Sequence, residues 1–183
     1  MKTYISMLRG INISGHRMIR MDDLKALYAA MGFKNIVTYI QSGNVIFQLQ
    51  PGNVAELEKK IADGIQEKFG FDVPVIIKEM EELRQIIEAN PLLLDPAKET
   101  SKIYLTFLPS VPERKLYEKI GEGQNYEEEY QLVGKTIFIY CPNGYGNTKL
   151  STNFLESKLK LTATSRNWRT TLELLQIADR ISS

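Results

Sequence analysis

Arginine, asparagine and glycine residues are concentrated in one long segment near the start of the 183-residue chain. Arg9, Arg17 and Arg20 lie there, and no acidic residue occurs before Asp22. The segment follows a strand pattern and precedes a helix pattern, and a loop of this length inside a compact domain is usually functional or disordered. Arginine binds phosphate or carboxylate through paired hydrogen bonds. We therefore interpret residues 7–17 as one half of an anion-binding site.

A second basic cluster lies near the end of the chain. Lys149 ends a glycine-rich loop that lacks the spacing of a P-loop, and Arg166 and Arg169 flank Trp168. Trp168 either stacks on a base or ring of a ligand or only anchors the last helix in the core. The glycines of both clusters likewise have a purely structural alternative, because turns require them.

Apolar periodicity predicts the same order of elements twice, β-α-β-β-α-β with one additional helix. In the first half, Asp22 or Asp23 caps the first helix and Asn53 caps the second, which ends at Gly70. The predicted strands and helices are a strand at 4–8, a helix ending before Gly32, a hairpin at 36–40 and 45–47, a helix at 54–69, a strand at 73–77 and a short helix before Asn90. The second half has a strand at 103–108, a helix at 110–120, a hairpin at 129–133 and 136–140, a helix through 154–159, a strand at 161–164 and a helix at 167–181.

This order predicts an α+β protein of two tandem ferredoxin-like halves, residues 1–92 and 100–183, each with an antiparallel sheet in the order 4-1-3-2 and an extra helix. In that plan, residues 9–17 lie beside Ser42, Gly43 and Asn44, and residues 145–149 lie beside residues 165–169. We further expect one half to be inverted relative to the other. The two clusters then meet at a basic cleft between the halves.

Bulk properties exclude several classes of protein. The net charge is +1 and the hydrophobic content 43%, so no global charge favours a polyanionic partner. The lone Cys141, the absence of a signal-peptide pattern and the absence of a long apolar run predict a cytoplasmic protein without a membrane partner. His16 is the only histidine and no carboxylate pair stands out, so we expect no metal and no cofactor. The oligomeric state stays open.

Three separated segments carry a family resemblance. Residues 8–12 (LRGIN), 38–44 (TYIQSGN) and 162–168 (TATSRNW) resemble the signature segments of the domain of unknown function 1697 family. The resemblance extends over essentially the whole chain. It implies a bacterial, cytoplasmic α+β protein with ferredoxin-like halves, and it implies no activity.

We expect the chain to bind a phosphorylated or carboxylated small molecule, with a nucleotide as one candidate. The predicted ligand contacts are Arg9, Asn12, Ser42, Asn44, Lys149, Arg166, Asn167 and Trp168. Two alternatives stay open: an enzyme of acyl or phosphoryl transfer at the same site, with His16 as its one candidate base, and a nucleic-acid or protein interaction module. A lone loop histidine is more often solvated than catalytic.

Overall fold

The computed structural model describes residues 1–183 and contains two four-stranded antiparallel sheets. The first has the order β2-β3-β1-β4 and the second β6-β7-β5-β8. Read from the other edge, each order is 4-1-3-2, which confirms the two ferredoxin-like halves. The strands are β1 (Lys2–Leu8), β2 (Lys34–Tyr39), β3 (Asn44–Leu49), β4 (Val75–Glu79), β5 (Ile103–Phe107), β6 (Glu129–Val133), β7 (Thr136–Tyr140) and β8 (Thr164–Asn167).

Six α-helices accompany the sheets, and α3 and α6 are the extra helices of the two halves. They are α1 (Met21–Ala30), α2 (Val54–Phe69), α3 (Met80–Glu88), α4 (Arg114–Glu118), α5 (Thr152–Leu159) and α6 (Trp168–Ser182), with short 3-10 helices at Pro91–Leu94, Thr100–Lys102 and Tyr145–Asn147. None of the helices combines the length and the apolarity that a membrane crossing requires.

The chain divides into two compact units. The first unit comprises residues Met1–Gln85 and Glu173–Ser183, and the second comprises Ile86–Leu172. Helix α6 therefore contributes residues to both units. In the first unit its end is held to the sheet, because Gln48 Nε2 donates a hydrogen bond to the Ile181 carbonyl at 3.0 Å.

The core of the first unit is aromatic where α1 meets the sheet. Phe33 and Phe47 stack with ring centroids 4.6 Å apart, and Tyr28 packs edge-on against both. The Tyr28 hydroxyl is buried and satisfied by Ser6 Oγ at 2.8 Å. Aromatic pairs add to the burial of apolar area, so this cluster holds α1 against β3 of the sheet.

In the second unit, α4 and α5 cover one apolar core. Leu108, Ile137, Ile139, Leu155 and Leu159 are buried there. The alternation of side chains along β7 places every second residue on this face, and Cys141 continues the same row. β7 and β8 both pair antiparallel to β5, so their last residues, Tyr140 and Asn167, lie at the same end of the sheet.

Two helix predictions need correction at their ends. Helix α1 begins at Met21 with Arg20 at its N-cap, and no side chain caps it, so neither Asp22 nor Asp23 has the predicted capping role. The helix predicted over 110–120 is only Arg114–Glu118. Single-turn bonds from the Ile120 and Gly121 amides to the Tyr117 and Glu118 carbonyls end it.

Two strand predictions are displaced along the chain. The strand predicted over 73–77 is Val75–Glu79, because Lys78 and Glu79 pair with Ile5 and Tyr4 in the sheet. β8 is Thr164–Asn167 and not 161–164. Helix α5 ends at Leu159, its C-cap Lys160 is left-handed (φ 56°), and Ser165 pairs with Thr106 in β5. Arg166 therefore lies within a strand and not in a trailing loop.

Candidate functional site

The loop between β1 and α1, residues 9–20, is named the basic loop here. Asn12 holds both of its ends and joins it to the β2–β3 turn. Its Oδ1 accepts the Ile19 amide at 2.8 Å, and its Nδ2 donates to the carbonyls of Ile19 at 3.0 Å and Gln41 at 2.8 Å. All three bonds go to backbone atoms, so Asn12 fixes the position of the loop.

The tip of the basic loop is a miniature hairpin. The Asn12 amide donates to the Arg17 carbonyl at 3.2 Å, and Ile13 and His16 form an isolated β-bridge. Between them, Ser14 (φ 50°) and Gly15 (φ 77°) are both left-handed, which is the requirement of a type I′ turn. The backbone conformation of the tip, and with it the position of each Cβ atom, is therefore fixed.

The β2–β3 turn lies against the basic loop, as the ferredoxin-like plan predicts. The Leu8 amide donates to the Gly43 carbonyl at 2.8 Å. A Cβ added to Gly43 would lie 2.6 Å from Ile11 Cδ1, so Ile11 packs where only a glycine leaves room. Asn44 is fully buried, and its Nδ2 donates to the Tyr39 carbonyl and to Ser42 Oγ, each at 3.0 Å. Asn44 and Ser42 thus build the turn.

The charge of the basic loop is concentrated on arginine. Arg17 and Arg20 are exposed, and their guanidinium groups make no hydrogen bond or ion pair. The Arg17 guanidinium lies over Gly10, with Nη1 3.7 Å from the position of an added Cβ. Arg9 is half-buried at the start of the loop. The first carboxylates that follow the loop in the sequence are Asp22 and Asp23, in the first turn of α1.

Three exposed apolar side chains accompany these arginines. Ile13 is 56% exposed, Met18 60% and Ile40 46%. Ile40 also has a φ of 49°, which is unusual for a β-branched residue. Because Asn12 is bonded to Gln41, the neighbours Ile13 and Ile40 occupy adjacent loops. An apolar surface that spans both loops is typical of binding sites when its side chains are contiguous.

His16 does not have the surroundings of a general base. Its side chain is exposed, and no hydrogen bond or ion pair orients the imidazole. A catalytic base needs a fixed position within hydrogen-bond distance of its substrate. The geometry therefore gives no support to the enzyme hypothesis at this residue.

In the second unit, Arg166 is buried in β8 opposite Leu105. Its Nη1 donates to Thr164 Oγ1 at 2.7 Å and to the Ser165 carbonyl at 2.9 Å. These contacts stabilise the guanidinium inside the fold. The structure thus places Arg166 in a different environment from the exposed arginines of the basic loop.

The residues that follow Arg166 begin the last helix. Asn167 Oδ1 accepts the Thr170 amide at 2.7 Å, which is the hydrogen bond of a helix N-cap. Trp168 is the first residue of α6 and only 7% exposed. Asn167 therefore caps α6, a role that the sequence analysis did not assign to it. The burial of Trp168 agrees with the alternative in which it anchors the last helix in the core.

A chain of hydroxyl groups crosses the second unit and was missed by sequence reasoning. Ser165 Oγ lies 2.8 Å from both Thr106 Oγ1 and Thr152 Oγ1, and Thr152 Oγ1 lies 2.9 Å from the Tyr145 hydroxyl. The Tyr145 ring stacks on Tyr104 at 4.5 Å. No spacing in the sequence connects these residues, because four different elements supply them. This chain of hydroxyls links Tyr145 through Thr152 to Ser165 in β8. The predicted proximity of Lys149 to residues 165–169 stays a prediction.

Lys149 lies at a cavity of 370 Å³, which we name the polar cavity. The Lys149 side chain is exposed and its ammonium group makes no hydrogen bond or ion pair. Two carboxylates, Glu127 and Glu128, line the same cavity. The residues around it are Asn125, Tyr126, Glu127, Glu128, Cys141, Pro142, Asn143, Gly144, Asn147 and Lys149.

Hydrogen bonds hold Glu128 ionised. Burial raises its pKa, but bonds from Thr148 Oγ1 (2.8 Å), its own backbone amide and the Lys149 amide (3.0 Å), together with the positive charge of Lys149, outweigh that effect and leave the pKa below the usual value. Burial raises the pKa of the neighbouring Cys141 thiol to about 11. Cys141 is therefore a neutral thiol near neutral pH and not an activated nucleophile. No group of three histidine, cysteine or carboxylate side chains is arranged to hold a metal ion.

Comparison with known proteins identifies the family. The model of the family described as "Protein of unknown function (DUF1697)" matches residues 1–138. The chain belongs to this family. No curated protein matches it. The DUF1697 chain is similar to the solved structure of a conserved bacterial protein, SP0830 from Streptococcus pneumoniae, with a TM-score of 0.77 and 18% identity over 97% of this chain and 98% of that one. At 18% identity, this likeness shows the fold of the DUF1697 chain alone.

The predicted ligand residues divide between the two units of the DUF1697 chain. Arg9, Asn12, Ser42 and Asn44 lie together in the first unit, while Lys149, Arg166, Asn167 and Trp168 lie in the second. Within the first group, Arg17 and Arg20 have the open charge that the predicted set left out. The run of 21 residues without a carboxylate was the signal for them.

Proposed function

We propose that this protein binds a small phosphorylated or carboxylated molecule on the basic loop, and that a nucleotide is the ligand class that fits best. The observation that carries the proposal is the pair of exposed guanidinium groups of Arg17 and Arg20, which make no hydrogen bond or ion pair. Like charges held on one loop repel each other, and a bound anion removes that repulsion.

The fixed backbone of the loop supports the same proposal. Asn12 and the hairpin at residues 12–17 order the loop without a ligand. A binding loop that is ordered in advance loses less conformational entropy on binding. Helix α1 starts directly after Arg20, and the carboxylates of Asp22 and Asp23 in its first turn oppose a second negative charge there, so the arginine side chains are the proposed contacts.

The apolar side chains favour a ligand with more than an anionic group. Ile13, Met18 and Ile40 are each about half exposed or more beside the arginines. A nucleobase or another flat apolar group covers such side chains while its phosphate contacts arginine. This preference distinguishes a nucleotide from inorganic phosphate.

A thermal-shift titration with AMP, citrate and inorganic phosphate tests the proposal. We expect AMP to raise the melting temperature most, because its base also covers the exposed apolar side chains. A ligand at one hundred times its Kd stabilises the native state by about 2.7 kcal/mol. The double variant Arg17→Gln and Arg20→Gln should abolish the rise. Arg114→Gln is the control, since Arg114 is 90% exposed on α4 of the second unit. No rise with any of the three anions, or an equal rise in the double variant, contradicts the proposal.

Single-stranded nucleic acid is the second candidate, since arginine and exposed apolar groups on one ordered tip also suit a polymer of nucleotides. A salt titration separates the two ligands. Binding to a polymer weakens steeply with salt in proportion to the number of phosphates contacted. A shallow salt dependence favours the mononucleotide.

The setting of the proposed activity is a bacterial cytoplasm. One solved structure with the same fold is that of a conserved bacterial protein. The single cysteine of this chain fits a reducing compartment. Convergence of the second basic cluster on the same ligand stays a prediction, and the proposal rests on the first unit alone.

A further inference from the structure

The polar cavity of the second unit has the dimensions of a small-molecule site. Its volume is 370 Å³, and all of its lining residues belong to residues 125–149 of that unit. Ligand pockets for small molecules begin at about 300 Å³. The cavity contains no residue of the basic loop, so it is a separate site.

The walls of this cavity are fixed by hydrogen bonds between its two segments. Glu128 Oε1 accepts bonds from Thr148 Oγ1 and from the Lys149 amide. Asn143 Nδ2 donates to Glu127 Oε2, and Asn147 Nδ2 donates to the Asn143 carbonyl at 3.1 Å. The segment 125–128 is therefore joined to the segment 141–149 before any ligand arrives.

The charges of the lining residues have both signs. Glu127 and Glu128 supply carboxylates, and Lys149 supplies an ammonium group whose positive charge helps to lower the pKa of Glu128 without forming an ion pair with it. A simple anion in the cavity meets two carboxylates, and a simple cation meets the ammonium group. A ligand that has both an ammonium group and a carboxylate satisfies all three side chains.

We propose that the polar cavity binds a free amino acid or a closely related small zwitterion. Glu127 and Glu128 receive its ammonium group, and Lys149 receives its carboxylate. The amide side chains of Asn125 and Asn143 offer donors and acceptors to the remaining polar atoms. Cys141 lines the cavity as a neutral thiol and adds no charge, so the site binds its ligand without covalent chemistry.

The test starts with a thermal-shift screen of the twenty standard amino acids. We expect a subset to raise the melting temperature. For the best amino acid, calorimetry then compares the free form with its N-acetyl and carboxamide derivatives. Each derivative lacks one of the two charges and should bind at least tenfold more weakly.

Two variants locate the binding. Glu127→Gln keeps an acceptor for Asn143 and removes the carboxylate charge, and Lys149→Gln keeps the backbone bond to Glu128. Both should weaken binding at least tenfold. Glu122→Gln is the matched control, because Glu122 is exposed and outside the cavity. Unfolding midpoints of all three variants verify that they are folded.

The screen overturns the proposal if no amino acid raises the melting temperature, or if a neutral sugar does so while amino acids do not. The binding measurements overturn it if a derivative binds as well as the free amino acid, or if either cavity variant binds normally. The double variant Arg17→Gln and Arg20→Gln should leave amino-acid binding unchanged. Loss of amino-acid binding in that variant assigns it to the basic loop and contradicts a separate site.

Discussion

At the scale of single residues, the side chains that shape the first site differ from those that remain open to a ligand. Asn12 has a left-handed backbone (φ 54°), which asparagine tolerates better than most residues, and it uses its amide for three backbone contacts. The guanidinium groups of Arg17 and Arg20 make no such hydrogen bonds, although both backbones take part in the loop and helix. Maintaining the shape of the loop and binding an anion are therefore tasks of different residues.

Gly43 should be the most sensitive small residue of the first site. Alanine there is strained by a φ of 83° and places Cβ 2.6 Å from Ile11 Cδ1 and 3.0 Å from Leu8 Cβ. We expect Gly43→Ala to lower the free energy of unfolding by about 2 to 4 kcal/mol, from the backbone strain and the overpacking together. Chemical denaturation measures the change.

Gly134→Ala is the matched control for Gly43→Ala. Gly134 also has a positive φ (60°), but an added Cβ meets no atom within 4 Å. The Gly134→Ala variant should lose only the free energy of unfolding that the backbone strain costs, about 1 to 2 kcal/mol. Equal losses in the two variants contradict the close packing of Ile11 against the turn.

At the scale of elements, patterns with strong local signals were predicted well. The Asn53 cap and the left-handed Gly70 end of α2 are confirmed, because both signals depend only on neighbouring residues. β8 was displaced because its position depends on the pairing of Ser165 with Thr106, 59 residues away. That displacement explains why Arg166 was expected in a loop and is found inside a strand.

Asn167 tests whether a predicted ligand residue acts as a helix cap. Asn167→Ala removes the acceptor of the Thr170 amide and should lower the free energy of unfolding by about 1 kcal/mol. Asn167→Asp keeps the acceptor and should restore stability. Thermal denaturation with circular dichroism measures both variants. A stable alanine variant, or an aspartate variant as unstable as alanine, contradicts the cap.

At the scale of the whole molecule, the repeated order of elements was sufficient to predict both sheets. Residues 9–17 and the turn at 42–44 were brought together as expected, because that proximity follows from strand order alone. The environment of each side chain could not be predicted from the strand order. The hydroxyl chain through Ser165 and the carboxylates beside Lys149 depend on packing between distant segments, which no short pattern records.

The stability of the molecule should fall at alkaline pH partly through Cys141. Burial raises the pKa of its thiol from 9.0 to about 11, so the folded state keeps a proton that the unfolded state loses. This contribution is complete below about pH 9 and is lost as the pH rises through 11, for a total of about 2.7 kcal/mol, of which about 2 kcal/mol is lost by about pH 10.5. Denaturant unfolding at about pH 8 and about pH 10.5 measures the loss.

The Cys141→Ala variant isolates this contribution from the titration of tyrosines. It should show a smaller decrease in the free energy of unfolding over the same pH range than the unmodified chain. The same decrease in both proteins contradicts a buried thiol with a raised pKa.

The most direct measurement of the central claim is a titration of backbone amide chemical shifts with AMP. Binding at the basic loop predicts that the shifts change at residues 9–20 and at the adjoining turn, 40–43, and that these changes disappear in the double variant Arg17→Gln and Arg20→Gln. Amide shifts at residues 9–20 that stay constant through millimolar AMP, or changes that are confined to other segments, contradict the account.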